Sequence, residues 1–199
     1  MAALCLIAAI VCAVADWIAV AQESRLLEYA MKPAALVFLL LYAGLGADPS
    51  WYLIAALALS LLGDVYLMLP DELFPVGLLA FLFAHLAYVA EFNATPLARA
   101  VWFVIVVGAS TPLALRIIRA VKQPPLRIGV GIYMSALSLM VASAIASGDL
   151  TATAGALLFF ASDSMIALNR FVAPFAWARV AVIVTYHLGQ LLLVMALRS

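Results

Sequence analysis

The chain has 199 residues, of which 69% are hydrophobic and only 10% charged, with lysine plus arginine matching aspartate plus glutamate at 10 each. Soluble domains are about half apolar and about a quarter charged. A chain this apolar, with mean hydropathy +1.22, cannot clothe itself in a polar surface, so its solvent is lipid, and its balanced charge offers no basic face for nucleic acid.

A helix needs roughly 20 mostly apolar residues to cross a bilayer. Proline, glycine and charge cluster in the breaks QESRLLEYAMKP, GLGADPS, LPDELFP, EFNATPLAR, RAVKQPPLR, ASGDLTA and NRFVAP. They leave eight segments, near 2–22, 30–46, 51–69, 73–91, 98–119, 127–147, 151–169 and 175–197, the second being the shortest. Barrel strands would alternate over about 10 residues. The expected fold is therefore all-α: one domain over 1–199, a polytopic bundle of about eight transmembrane helices around a central polar cavity.

The first span carries Cys5 and Cys12 at a spacing that suits neither a disulfide framework nor a CxxC metal site. Its AVAD stretch, Ala13 to Asp16, resembles a cleavage site, but no lysine or arginine precedes it, so the segment is read as a span. Asp16 is expected at the interface, and Trp17, Trp51, Trp102 and Trp177 in an interfacial belt. Lys32 opens the second span. The third holds Asp64 within LSLLGDVYLML, and the fourth holds His85 and Tyr88. The fifth has only Ser110 and Thr111, which carry no signal; the sixth has Tyr133. The seventh holds Asp163 within LLFFASDSMIAL and runs into Asn169 and Arg170; the eighth holds Tyr186, His187 and Gln190. The loop acids Asp48, Asp71, Glu72 and Asp149 are assigned no chemistry.

Arg25, Lys32, Arg116, Arg119, Lys122, Arg127, Arg170 and Arg179 gather at the connections after odd-numbered spans, against Arg99 and Arg198 on the other side. The positive-inside bias places those connections in the cytoplasm of a bacterial inner membrane and both termini outside. At ~1.5 Å per residue, Asp64, Asp163 and Tyr133 then sit about two turns from the cytoplasmic end, with the histidines nearer the midplane. Ser60 and Asp64 share a helical face, as do His85 and Tyr88, Asp163 and Arg170, and Arg179, Tyr186 and Gln190. A weak internal echo, small residue–Asp followed one span later by a His-Leu pair, suits a parallel four-plus-four repeat.

An intramembrane ionisable residue is a functional candidate because placing it there is costly. The blander reading pairs Asp64 with Lys32 and Asp163 with Arg170, makes His85 and His187 interhelical hydrogen-bond glue, and makes the tyrosines packing residues. Two carboxylates in one low-dielectric pocket do not ionise equally. One then donates a proton and the other acts as base, which suits hydrolysis through a carbocation next to oxygen, as in glycosidases. A serine nucleophile is disfavoured because no GxSxG elbow surrounds Ser162 or Ser164. A zinc site lacks HExxH and a third histidine, and neither a P-loop nor GxGxxG is present.

The ordered set MKP (Met31 to Pro33), LLGDVYLML, FLFAHLAYV, Tyr133, GALLFFASDSMIALNRF and TYHLGQLL resembles the lysoplasmalogenase, or YhhN-like, family over nearly the whole chain. The resemblance implies an eight-helix hydrolase that cleaves the vinyl-ether bond of lysoplasmalogens to a fatty aldehyde and glycerophosphoethanolamine or glycerophosphocholine, with no metal or organic cofactor. The partners implied are a lysophospholipid and the bilayer, with no oligomeric state indicated. Asp64 and Asp163 would be catalytic. Lys32 and Arg170 would hold the phosphate, and His85, Tyr88, Tyr133, Asn169, Tyr186, His187 and Gln190 would complete the substrate-binding set. A proton-coupled transporter suits the same buried Asp and His residues, as does a lysolipid-binding protein without catalysis.

Overall fold

Inside a bilayer every backbone polar group must find its partner within the chain, and the apolar segments meet that demand as helices. A computed structural model describes residues 1–69 and 71–198. Among them are α1 (Ala2–Ala21), α2 (Arg25–Gly44), α3 (Trp51–Met68), α4 (Phe74–Glu91), α5 (Pro96–Ala120), α6 (Pro124–Ser147), α7 (Leu150–Ala167) and α8 (Ala178–Leu197). All eight are long and apolar enough to span a membrane, α7 together with the π-helical turn Leu168–Val172 that extends it. No strand occurs among the described residues. Pro70, in the break LPDELFP, and the side chain of Asp71 lie outside them.

The helix starts follow local chemistry. Pro75, Pro96 and Pro124 stand in first turns, where a missing N–H costs no bond. The Asp149 carboxylate accepts from the amides of Thr151 at 2.7 Å and Ala152 at 2.9 Å, capping α7. Gly148, at φ +78°, ends α6 and turns the chain into that cap.

Two boundaries differ from the sequence expectation. The second span, expected over 30–46, begins at Arg25 and contains Pro33. Its charges are tolerated because they sit in the first turns, where Glu28 meets Arg25 at 3.7 Å and Arg179 at 2.6 Å. Lys32, expected to open this span, therefore lies two turns inside α2. The seventh span, expected to end at 169, instead widens into the π turn, which holds Asn169 and Arg170.

Consecutive helices pack as antiparallel pairs, α1 on α2, α3 on α4, α5 on α6 and α7 on α8. Further contacts join α2 to α3, α4 to α6, α6 to α7 and α8 back to α1, giving a ring from which α5 is excluded. That helix packs outside, on α6 and the π turn, and buries only Ile117 along its length. The interior is filled by Leu36, Leu53, Leu57, Leu137, Met140, Phe159 and Leu193, with polar side chains concentrated toward the end where α2, α4, α6 and α8 begin. We call this the mouth end. At the opposite end Arg198 donates to the carbonyls of Tyr42 at 2.9 Å and Leu45 at 3.0 Å, and Ser50 is hydrogen-bonded to Glu91.

Candidate active site

The polar residues of the ring form two linked groups. In the first, Lys32 of α2 sets its Nζ 3.0 Å from Asp64 Oδ1 on α3. The Tyr186 hydroxyl of α8 donates to the other oxygen of Asp64 at 2.6 Å. Gln190, one turn further along α8, reaches the Tyr186 oxygen at 3.4 Å and accepts from the Tyr88 hydroxyl at 2.5 Å. Asp64, Tyr88 and Gln190 are buried. Tyr88 and Gln190 thus stand behind Tyr186 on its far-end side and hold its ring in place.

In the second group, the Tyr133 hydroxyl of α6 donates to Asp163 Oδ2 on α7. The same oxygen lies 3.6 Å from His85 Nε2 on α4. Phe159 joins the groups: its ring packs edge-on against His85 at 4.9 Å and against Tyr186 at 5.3 Å between centroids. Asp163 is within electrostatic reach of both Asp64 and Lys32.

Two cavities meet at this cluster. One is a polar vestibule at the mouth end, lined by Glu28, Lys32, Asn169, Arg170 and Arg179. The other is an apolar slot whose one charged lining residue among the described residues is Asp163, beside Tyr133. Leu67, Phe74 and Ile166 line both and form the wall the two cavities share. An amphiphile has the same division: Asp163 lines the slot, and Asp64, buried behind both cavities, is paired with Lys32 of the vestibule.

Sequence periodicity placed Asp163 and Arg170 on one face. The π turn breaks that phase, because each residue in it turns through a smaller angle than in an α-helix. Arg170 accordingly lies over the Phe74 ring at 4.0 Å in the vestibule wall, and Asp163 faces His85 and Tyr133. Asn169 Oδ1 accepts from the Phe175 amide at 3.1 Å, fastening the turn. His187 stands to one side of Tyr186, its Nδ1 accepting from the Trp17 indole at 3.1 Å. Trp17, expected in the interfacial belt, therefore ties α1 to α8. Asp16, expected at the interface, is fully buried (0% exposed), with no hydrogen-bond partner on either oxygen and within electrostatic reach of Lys32, Asp64, Glu28 and Arg179. Its setting in an apolar run, AVADWIAV, is the signal that singled out Asp64, and read the same way it marks Asp16. Glu28 and Arg179 at the vestibule, and Phe159 at the centre, carried no such mark.

The fold and this cluster define a class: polytopic helical membrane proteins with two carboxylates buried below a charged vestibule. Residues 27–197 match the YhhN family, and the chain belongs to that family. It is 35% identical over 159 residues to Lysoplasmalogenase TMEM86B of Sus scrofa, covering 80% of this chain and 69% of the relative. It is 34% identical over 145 residues to Lysoplasmalogenase TMEM86B of Homo sapiens, covering 72% of this chain and 62% of the relative. A bacterial relative, the Lysoplasmalogenase of Mycobacterium tuberculosis, is 35% identical over 138 residues, covering 64% of this chain and 52% of the relative. The chain thus spans about two thirds of the length of the mammalian relatives and half that of the bacterial one. No solved structure matches it. The match begins at residue 27, so Asp16 and Trp17 lie outside the shared region.

Proposed function

We propose that this membrane protein is a lysoplasmalogenase: it hydrolyses the vinyl-ether bond of one-chain alkenyl glycerophospholipids by two-aspartate acid–base catalysis. The observation that carries this reading is a cationic vestibule and an apolar slot that share a wall, with Asp163 lining the slot and Lys32, the ion-pair partner of Asp64, lining the vestibule. The relatives' names support the substrate class. Lys32, Arg170 and Arg179 supply the positive charge for a phosphate, and the slot takes the start of the alkenyl chain.

This pose orders the roles. Acid hydrolysis of a vinyl ether begins with protonation of the alkenyl carbon on the chain side, which generates an oxocarbenium ion at the carbon on the oxygen side. Asp163 lines the apolar slot, where the chain-side carbon lies, and its ring neighbours are Tyr133 and His85. It is the proton donor. Asp64 lies toward the head group, and its contacts with the Lys32 ammonium and the Tyr186 hydroxyl match those of a carboxylate ion. It stabilises the cation and accepts a proton from the attacking water. The hemiacetal then collapses: its hydroxyl proton passes to the Asp163 carboxylate, and Asp64 returns its proton to the departing glycerol oxygen. One water is consumed, both acids are restored, and a fatty aldehyde and the glycerophospho-alcohol leave.

Purified protein in detergent is expected to release aldehyde from a 1-alkenyl lysophospholipid and none from its 1-alkyl analogue, which has no double bond to protonate. A protein that binds the lipid, or moves it between compartments, and leaves the alkenyl bond intact would refute the hydrolase reading.

A further inference from the structure

The slot does not end at Asp163. Tyr133 and Leu78, which line it, also line a third cavity on the outer side of the ring between α4 and α6. Its walls are Pro75, Leu79 and Leu82 of α4 and Leu126, Gly129 and Ile132 of α6. Leu79 is 50% and Ile132 55% exposed, so this wall meets the bilayer. A side chain at Gly129 would meet nothing within 4 Å, so the groove is open there. Vestibule and slot share Leu67, Phe74 and Ile166, slot and groove share Leu78 and Tyr133, and Asp163 lines the slot between them.

We propose that the hydrocarbon chain of the substrate leaves the ring sideways through this α4–α6 groove. Tyr133 and Leu78 then form its inner gate and Gly129 its open floor. The proposal rests on the lysoplasmalogen reading for the identity of the lipid. The occupant follows from geometry: a one-chain amphiphile with its phosphate in the vestibule has its chain in the slot, and the slot's outer wall is shared with a groove that opens to lipid at the same end of the bundle. Tyr133 has a second consequence there, because its hydroxyl bonds Asp163. A chain in the groove presses on the ring that orients the acid, so chain occupancy and acid placement are coupled. The competing apolar groove lies between α1, α2 and α8 at Ala13, Trp17, Leu39 and Leu191. It shares no lining residue with the slot.

Two measurements on the full chain test the path. A non-hydrolysable alkyl glycerophosphocholine with a diazirine at the end of a long chain is expected to label peptides from α4 near Leu79 and α6 near Ile132. Label confined to α1 and α8, or no label on α4 and α6, overturns the proposal. In the second, Gly129→Trp fills the groove, and Gly108→Trp puts the same bulk on the lipid-facing side of α5, where a Cβ meets nothing within 4 Å. For a long-chain alkenyl lysophospholipid, Gly129→Trp is expected to lower kcat/KM by about 10- to 100-fold, the scale of displaced reactants, with its rate on a short-chain alkenyl analogue and both rates of Gly108→Trp unaffected. Equal loss on both chain lengths, or no loss on either, overturns it. If the wild type leaves the alkenyl bond intact, the hydrolase reading falls and the photolabel alone decides the path.

Discussion

Asp64 and Asp163 differ in what a substitution strands. Asp64 is the ionic partner of Lys32, whose side chain is 14% exposed. Asp64→Asn therefore leaves an unpaired cation inside the bundle, a loss of about 3–5 kcal/mol when a buried pair is broken. Asp163→Asn strands no lysine or arginine and should unfold near the wild-type temperature. Both variants are expected to lose at least about 10²-fold in turnover, the scale of general acid–base catalysis. A folded Asp163→Asn protein that keeps wild-type turnover would show that Asp163 is structural. The donor geometry also bears on metal. His187 gives its Nδ1 to Trp17, His85 faces Asp163, and no group of three His, Cys, Asp or Glu suited to a metal occurs among the described residues. Activity is expected to survive exhaustive chelation, and loss that zinc restores would replace the two-acid mechanism with a metal-bound water.

Helix contacts carry the next set of constraints. Asp163 and Phe159 ride on α7, and Tyr186 and His187 ride on α8, so the spacing of these two helices sets the site. Gly155 and Gly189 let their backbones touch. A Cβ on Gly155 would stand 2.9 Å from the Leu193 nitrogen and 3.0 Å from the Gly189 oxygen, and one on Gly189 would stand 3.0 Å from the Gly155 oxygen and the Phe159 nitrogen. Backbone cannot yield as a side-chain tip does, which is why small residues mark close membrane-helix contacts. Gly155→Val is expected to cost about 1–3 kcal/mol as an overpacking change and to lower turnover by separating Phe159 from Tyr186. Gly108→Ala, whose Cβ meets nothing within 4 Å, is the control and should match the wild type in both thermal unfolding and rate. If Gly155→Val also matches, α7 and α8 are free to part without consequence.

For the molecule as a whole, the positive-inside rule leads us to propose that the mouth end, where the positive charges gather, faces the cytoplasm. Gln22, between α1 and α2, and Asn93, between α4 and α5, are exposed at opposite ends of the bundle. With Cys5 and Cys12 replaced, a membrane-impermeant thiol reagent applied to intact cells is expected to label Asn93→Cys and not Gln22→Cys. The reverse pattern would place the vestibule outside and the lysolipid in the other leaflet. The ring also leaves α5 against lipid on most of its surface. Substitutions among its exposed apolar residues, such as Val104→Leu, are expected to leave stability within about 0.5 kcal/mol, as surface changes do.

The sequence by itself determined the solvent, the number of spans and the residues too polar for their surroundings. Transfer into lipid is a local property that sums along a segment, so a run such as Leu59 to Leu69 declares both its helix and the oddity of Asp64. Which of these residues meet was left to the tertiary structure. Helices that are apolar all round give no periodic mark of the face turned inward. The order of the ring, the exclusion of α5 and the burial of Asp16 are therefore set by packing between distant segments. Of the two ion pairs the sequence allows, Lys32 with Asp64 forms, because α2 packs on α3 and Lys32 lies inside α2. Asp163 instead meets Tyr133 and His85, because the π turn carries Arg170 out of its phase. Phe159 between His85 and Tyr186 is the extreme case: a phenylalanine in an apolar run carries no mark of a place in the site until two other helices bring those rings to it.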